Sequence, residues 1–316
     1  MVYVGRPPHN PMQHNQFIQY DSQRRRYWAR SYVGYMSVWK SKPNYGHYAL
    51  TYAQHNNMVH RIITQNVDGL HQLSGAQNVV ELHGSIHNVV CLACHHKYTR
   101  ELMQQWLTEL NPEFYNLLHG TVNESTNVSG TRDIELAQLA LEKVNTRTES
   151  QLRPDGDIEL GGTDYIYTKF NYPACPQCNG ILKADVVFFG GSVPKHVHTQ
   201  CDDIINHSDG ILVIGSSLTV WSAYRLVRQA ILRNPILCHR LPSISNDEQQ
   251  RINKFDLCNV GIINDGPTRA DILVDLRVSG RAGQILPWLF DMPNHSTLTQ
   301  QSQQYINQNT TQEAPL

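Results

Sequence analysis

The sequence has no long apolar run. None approaches the roughly 20 residues that a transmembrane helix needs. The opening Met1-Val2-Tyr3-Val4-Gly5 is too short for the apolar core of a secretory signal. Hydrophobic residues make up 40% of the 316 residues, which is below the usual share for a compact globular protein. The length still suffices for one large α/β domain with a smaller inserted module.

The sequence also lacks a surplus of either charge. It has 26 Lys and Arg against 27 Asp and Glu, for a net charge of −1. Binding to nucleic acid or to a membrane surface normally needs a basic field, so we expect neither. One alternative stays open, because residues 22–60 interleave aromatic side chains with arginine, a pattern that also suits base stacking. Packing of short aromatic helices onto the main domain explains that pattern as well, and it fits the neutral charge better.

Cysteine is scarce but paired. Four of the seven cysteines form two Cys-x-x-Cys motifs, Cys91/Cys94 and Cys175/Cys178. This usage favours a reducing compartment and one structural zinc over a disulfide scaffold, and two pairs favour zinc over a redox dithiol. Four thiolates leave no open coordination position, so we assign the zinc no chemistry. The pairs stand about 80 positions apart, far beyond the roughly 15–20 of a compact ribbon, and a polar excursion over 120–151 explains the excess.

One stretch concentrates polar side chains behind a strand. The β-branched run 62–64 predicts a buried strand, and Gln65, Asn66 and Asp68 follow it directly. Ligands of open α/β sheets bind beyond the carboxyl ends of strands, where these groups suit a carboxamide and ribose hydroxyls. His83 follows, and a neutral imidazole takes protons near pH 7. The plainer alternative is that the Asn and Asp cap the next helix and that His83 is one of sixteen histidines.

The joint pattern resembles the sirtuins, a family of NAD-dependent protein deacylases of which some transfer ADP-ribose. Residues 64–71 read Thr-Gln-Asn-Val-Asp-Gly-Leu-His, and residues 81–84 read Glu-Leu-His-Gly. The similarity runs through most of residues 1–290. Residues 26–30 and 185–190 resemble the mitochondrial class II, or fourth-type, branch, which implies the mitochondrial matrix.

The resemblance implies a role for each residue of the pattern. Asp68 holds the nicotinamide carboxamide, Gln65 and Asn66 position the ribose, and His83 is the general base on the ribose hydroxyls. An acylated-lysine peptide adds as an extra strand, main chain to main chain, along Val187, Phe188, Phe189 and Gly190. The remaining cofactor contacts are Gly215, Ser216, Ser217, Asn264 and Ala282, where the alanine replaces the cysteine of the family's Arg-Cys-Gly.

The fold class we predict is α/β, with a Rossmann-like doubly wound parallel sheet and a smaller zinc-ribbon and helical lobe. Strands are predicted at 62–64, 186–189, within 209–214, from 235, at 261–264 and at 271–276, and helices at 44–56 and 224–233. The predicted division is a helical and loop part (1–60), a Rossmann-like domain (61–84 and 182–290), a zinc-ribbon module (85–181) with an inserted loop (120–152), an insertion (238–260) and a disordered tail (291–316).

The sequence departs from the family in one segment. Sirtuins carry a Gly-Ala-Gly-x-Ser turn that cups the cofactor pyrophosphate at a helix N-terminus, and residues 11–14 already correspond to the loop beyond it. As written, the chain lacks a central strand and half of the phosphate site, so we expect weak NAD binding. Two hypotheses follow: an NAD-dependent protein-lysine deacylase, with ADP-ribosyltransferase or lipoamidase activity as variants, and a catalytically impaired, zinc-binding interaction protein of the sirtuin type.

Overall fold

The computed structural model describes residues 11–119, 164–234, 236–241, 243 and 258–292. The predicted loop 120–152, most of the predicted insertion 238–260 and nearly all of the predicted tail lie outside these residues. No helix in the described part is long and apolar enough to cross a membrane.

Short helices alternate with short strands along the chain. The helices are α1 (His14–Gln19), α2 (Asp21–Trp39), α3 (Tyr45–His55), α4 (Leu70–Leu73), α5 (Arg100–Leu110), α6 (Pro112–His119), α7 (Asp164–Lys169), α8 (Lys195–Asn206), α9 (Trp221–Leu232) and α10 (Ala282–Leu289). The strands are β1 (Ile62–Thr64), β2 (Val79–Glu81), β3 (Gly84–Cys91), β4 (Lys97–Thr99), β5 (Leu182–Val186), β6 (Gly210–Ile214), β7 (Asn259–Ile263) and β8 (Leu276–Val278).

The strands form three sheets. β1 pairs with β2 in parallel, and β6, β7 and β8 form a second parallel sheet in that order. The third sheet, β4-β3-β5, is antiparallel and belongs to the smaller lobe. Parallel strands covered by helices agree with the predicted α/β class. Within the described residues, however, the parallel strands fall into two sheets, and no strand joins β1 to β6.

Each lobe has its own core. In the large lobe, α9 packs against the parallel strands through apolar side chains such as Ala230, Ile231 and Ile262. In the smaller lobe, α2 and α5 bury Trp28 and Met103 beside Cys91 of β3 and Cys175. The helices of the smaller lobe are together called the helical lobe; they are α1, α2, α5, α6 and α7. Apolar burial stabilises both units at roughly 25 cal/mol per Å² of surface removed from water.

Three aromatic residues of α2 face inward. Trp28, Tyr32 and Tyr35 are buried, and the fully buried Arg100 stacks its guanidinium on two of these rings, 5.4 Å from the centroid of Trp28 and 4.5 Å from that of Tyr35. Arg24 likewise donates a hydrogen bond to the Tyr172 hydroxyl. These rings are therefore occupied by packing, as the helix-packing interpretation of this part of the sequence expects.

Most of the predicted elements are confirmed. β1 covers the predicted run 62–64, and α3 begins after Asn44, whose side chain accepts hydrogen bonds from the N–H groups of Gly46 and His47. The strand within 209–214, the helix at 224–233 and the strand at 261–264 are also present, with ends shifted by a few residues.

Three predicted strands were wrong. The strand predicted at 186–189 lies at Leu182–Val186, because the chain turns at Gly191, whose N–H donates to the Phe188 carbonyl. Where a strand was predicted from 235, residues 236 and 237 form a turn, because the Asn234 side chain accepts hydrogen bonds from the N–H groups of Ile236 and Leu237. The one predicted at 271–276 begins with a 3₁₀ turn, because the Asp271 carboxylate binds the Thr268 N–H. In each case a local polar contact outweighs the apolar pattern.

Gly84 fixes the turn between β2 and β3. Its φ is +79°, and a Cβ at this position would lie 1.9 Å from the carbonyl oxygen of Asp185. The close approach lets β3 and β5 pair through Gly84 and Val186. Only glycine satisfies both the dihedral angle and the contact.

We therefore expect Gly84→Ala to lower the free energy of unfolding by at least about 2 kcal/mol, because backbone must move. Gly215→Ala is the matched control. Its φ of +61° is also positive, but nothing lies within 4 Å of an added Cβ, so only the left-handed penalty of about 1 kcal/mol applies. Chemical denaturation measures both changes, and equal losses would contradict the role of the close contact.

Candidate active site

The carboxyl ends of the parallel strands open onto one cavity of about 2740 Å³. Both β1 and β6 contribute to its wall, so the edges of the two parallel sheets face the same space. Nearly all of the predicted cofactor and substrate residues line it. They are Gln65, Asn66, His83, Val187, Phe188, Phe189, Gly190, Gly215, Ser216, Ser217, Asn264 and Ala282.

One contact bridges the two parallel sheets at this end. The Gln65 side-chain amide donates a hydrogen bond of 2.8 Å to the Ser216 hydroxyl, which in turn accepts the Leu218 N–H at 3.1 Å. The residue after Gln65 is held separately, because the Asn66 N–H donates to Thr64 Oγ1. The predicted ribose residues and the Gly-Ser-Ser turn are thus fixed together, although they are far apart in sequence.

Asp68 does not line the cavity. Its residue is 8% exposed, and its Oδ1 accepts the Leu70 N–H at 3.1 Å, which starts α4. Burial raises the pKa of this carboxyl above its ordinary value, and the Leu70 N–H opposes that shift. The carboxylate thus accepts the first N–H of α4.

His83 reaches the cavity from the end of β2. Its Nε2 lies 2.8 Å from the hydroxyl oxygen of Ser222, the second residue of α9. Burial lowers the pKa of His83 below its ordinary value, while a hydrogen bond with the backbone of Gln65 opposes the change. The imidazole is therefore neutral near pH 7 and able to take a proton. Sequence reasoning missed Ser222, because nothing in a helix-starting serine indicates which side chain it meets.

The remaining cofactor candidates surround the ends of β6 and β7. Ser217 bonds its hydroxyl to Thr219 at 2.9 Å. Asn264 is 2% exposed, and its amide already donates to the Gly266 carbonyl at 2.7 Å. Ala282 is the first residue of α10, so its backbone N–H is among those that a helix leaves unpaired. Asn264 therefore shapes its loop, whereas Ala282 offers a backbone donor.

The segment predicted to bind the peptide, residues 187–190, exposes the side chain of Phe189 and parts of its backbone. Phe188 is buried against Phe17 and Tyr27, with ring centroids 5.3 and 5.0 Å away, so its ring belongs to the core. Phe189 is 55% exposed, and its carbonyl accepts the His14 N–H. The Val187 N–H donates to the His83 carbonyl at 2.9 Å. The segment is thus joined to the histidine turn on one side and to α1 on the other.

The four predicted metal ligands come together. The Sγ atoms of Cys91, Cys94, Cys175 and Cys178 all lie within 4.8 Å of one another, with closest pairs at 3.4 and 3.7 Å. A tetrahedral zinc with Zn–S bonds of about 2.3 Å places its sulfurs about 3.8 Å apart. None of these four cysteines takes part in a disulfide. The donor set and its spacing therefore fit one structural zinc, and the Tyr98 hydroxyl, 3.2 Å from Cys175 Sγ, supports the cluster from outside.

Comparison with known proteins agrees with this geometry. The model of the Sir2 family matches residues 6–222. The chain is 36% identical over 295 residues to the NAD-dependent protein deacylase Sirt4 of Drosophila melanogaster, covering 93% of this chain and 77% of that one. It is 33% identical to the NAD-dependent protein lipoamidase sirtuin-4, mitochondrial, of Bos taurus, covering 90% of this chain and 72% of that one. The protein belongs to the Sir2 family, the sirtuins, whose members use NAD.

Solved structures share the fold. A Sir2 bound to an acetylated peptide superposes with a TM-score of 0.54 at 20% identity, covering 88% of this chain and 80% of that one. A Sir2 complex with a p53 peptide and NAD+ superposes with a TM-score of 0.53 at 19% identity, covering 90% and 84%. This likeness establishes the α/β architecture with a second lobe.

A structural zinc makes a direct prediction. Purified protein should contain about one zinc per chain, and Cys175→Ser should lose the metal and unfold the smaller lobe, because folding and binding are coupled. Cys201→Ser is the matched control, since Cys201 is a buried thiol outside the cluster, and it should keep the metal. Elemental analysis with circular dichroism reads both, and a folded, zinc-free wild type would contradict the assignment.

Proposed function

We propose that this chain is an NAD-dependent protein-lysine deacylase. The observation that carries the proposal is the position of His83, a half-buried neutral imidazole at the wall of the cavity that also holds Gln65, Asn66 and the segment 187–190. Membership of the Sir2 family supports it. The overall reaction consumes an acyl-lysine, NAD and water, and it gives free lysine, nicotinamide and O-acyl-ADP-ribose.

His83 acts as the general base in this proposal. With a proton absent from Nε2, the ring accepts the hydrogen of a ribose hydroxyl and so lets that oxygen attack the acyl carbon. Ser222 occupies the same nitrogen at 2.8 Å before substrate arrives, which holds the ring in the required orientation. Gln65 and Asn66 orient the ribose from the end of β1. Buried Asp68 fixes the turn at the nicotinamide end.

The acylated peptide binds along residues 187–190 in this proposal. The Val187 N–H is already used by His83, so the peptide pairs with the groups that point away from that contact. Backbone pairing is tolerant of sequence. Selectivity then falls to the side chains beside the acyl group, where Phe189, Val220 and Trp221 are exposed. Such apolar surface suits acyl chains longer than acetyl, and a relative named as a lipoamidase is consistent with that.

We propose that the protein works in the mitochondrial matrix, as the name of the bovine relative suggests for that protein. The zinc cluster lies in the smaller lobe and takes no part in the chemistry. Direct binding to nucleic acid or to membranes is not part of the proposed function, in line with the net charge of −1.

His83→Tyr tests the role of the base. We expect deacylation of an acyl-lysine peptide to fall by on the order of 10² or more, the contribution of a positioned general base. Zinc content and the thermal midpoint should stay near wild type. Ser222→Ala should be milder, on the order of 10-fold or less, because one neutral hydrogen bond contributes about 0.5–1.5 kcal/mol. Mass spectrometry of peptide and O-acyl-ADP-ribose measures turnover.

Two outcomes of that experiment would contradict the proposal. Undiminished turnover by His83→Tyr would show that His83 is not the general base. A wild-type protein that folds and holds zinc but releases no nicotinamide would favour the alternative, a zinc-binding interaction protein of the same fold. The facing edges of β1 and β6, with no described strand between them, are the observation that favours this second candidate.

The pH dependence of turnover has a definite sign. A base must be neutral to act, and burial holds the pKa of His83 below 6.5, the value for the free side chain. Activity should therefore persist below pH 6.5 and be lost as the pH falls further through the lowered pKa. The acid limb of kcat/KM measures this, and a limb above pH 6.5 would show that another group controls the step.

A further inference from the structure

His87 supports the Asp68-Gly69 turn from below. It lies on β3, and its Nε2 is 2.9 Å from the backbone carbonyl oxygen of Asp68. A carbonyl oxygen can only accept, so Nε2 carries a hydrogen and donates it. The contact is close, because a Cβ added to Gly69 would lie 3.1 Å from the His87 ring. Gly69 itself has a φ of +68° and precedes α4.

The opposite side of the ring meets the helical lobe. His87 Nδ1 lies 3.3 Å from the hydroxyl of Tyr35 on α2, and that hydroxyl donates to Glu101 Oε1 on α5 at 3.0 Å. The chain of contacts thus runs from Glu101 through Tyr35 and His87 to the carbonyl of Asp68. It crosses from the helical lobe into the large lobe without a break.

The positions of the hydrogens in this series of contacts determine which ring nitrogen of His87 is protonated. When Tyr35 donates to Glu101, its oxygen accepts from His87 Nδ1, and the ring carries two hydrogens. When Tyr35 turns its hydrogen to Nδ1, the ring carries one, on Nε2. Both arrangements leave Nε2–H pointing at Asp68. The remaining tautomer, with hydrogen on Nδ1 alone, would set a lone pair against the carbonyl, which the geometry disfavours.

The tyrosine at the centre of this chain is rigidly held. Tyr35 is buried, and the Arg100 guanidinium lies 4.5 Å from its ring centroid. Arg100 is fixed in turn by hydrogen bonds from Nη2 to the carbonyl and hydroxyl of Ser31, at 2.9 and 3.0 Å. Because Tyr35 is enclosed in this way, a shift of the helical lobe also shifts His87.

We propose that His87 is a positioning residue for the proposed deacylation: its Nε2–H holds the Asp68 carbonyl, and Tyr35, itself bonded to Glu101, holds the ring from the other side, so that the helical lobe sets the geometry of the Asp68-Gly69 turn. The inference rests on the proposed function, because this turn is the nicotinamide end of the site. His87 touches neither the cavity nor a reacting atom, so its effect is exerted through the turn.

Paired variants separate the hydrogen bond from ring packing. His87→Phe keeps a ring and removes the donor, whereas His87→Gln keeps a side-chain N–H that can reach the Asp68 carbonyl. With acyl-peptide saturating, His87→Phe should lower kcat/KM for NAD on the order of 10-fold, the loss expected for a buried carbonyl left unpaired. KM for the peptide should not change. His87→Gln should recover most of the loss, and Tyr35→Phe should show an intermediate loss. His196→Phe, an exposed histidine of α8, is the control.

A second measurement decides the matter independently of turnover. Nitrogen-15 NMR of the histidine side chains should show His87 Nε2 protonated in wild type, with faster exchange of the α4 amides in Tyr35→Phe. If wild type shows no turnover, the proposed function fails, while this arm still supports or overturns the positioning role. An unprotonated Nε2, equal activity of the Phe and Gln variants, or a matching rise in the KM for peptide would each overturn it.

Discussion

The hydrogen bond from the Val187 N–H to the His83 carbonyl is the contact on which the site depends. It joins the turn that carries the imidazole to the segment proposed to carry the peptide. Gly84 makes it possible, because only a residue without Cβ lets the Asp185 carbonyl come so near. The contact therefore couples the position of the proposed base to that of the proposed peptide segment, and catalysis depends on such positioning of the reacting groups.

Two further constraints act on the site, one within the large lobe and one between the lobes. Gln65 and Ser216 tie the ends of β1 and β6 together across the cavity, and the series of contacts from Glu101 to Asp68 ties the helical lobe to the same region. Both are short polar contacts between elements that are distant in sequence. The site is thus assembled by tertiary contacts. The positions of its side chains therefore depend on the packing of the cores of both lobes.

The sequence predicted those features whose chemistry is carried by the residue type itself. Two Cys-x-x-Cys pairs predict a tetrathiolate cluster wherever the chain brings them together, so a separation of about 80 positions did not matter. The run 62–64 predicted β1, and Asn44 predicted the start of α3. The roles of individual cofactor residues remain predictions, and the division into domains is likewise a prediction, with the segment 120–152 outside the described residues.

Features that depend on a partner could not be predicted. Ser222 and His87 look like an ordinary helical serine and an ordinary strand histidine, and they matter only because of the atoms they meet. Asp68 matches the motif, but its carboxylate accepts the Leu70 N–H at the start of α4, and the residue is not among those that line the cavity. The strand predicted at 186–189 was displaced because a hydrogen bond across the turn at Gly191 outweighs apolar character. Local hydrogen bonds of this kind leave no pattern in the sequence.

A crystal structure of the protein with NAD and an acyl-lysine peptide tests the central claim most directly. The account predicts that a ribose hydroxyl replaces Ser222 at His83 Nε2, within hydrogen-bonding distance, and that the peptide pairs with the backbone of residues 187–190. A dinucleotide bound with its ribose out of reach of His83, or a peptide bound elsewhere, would contradict it.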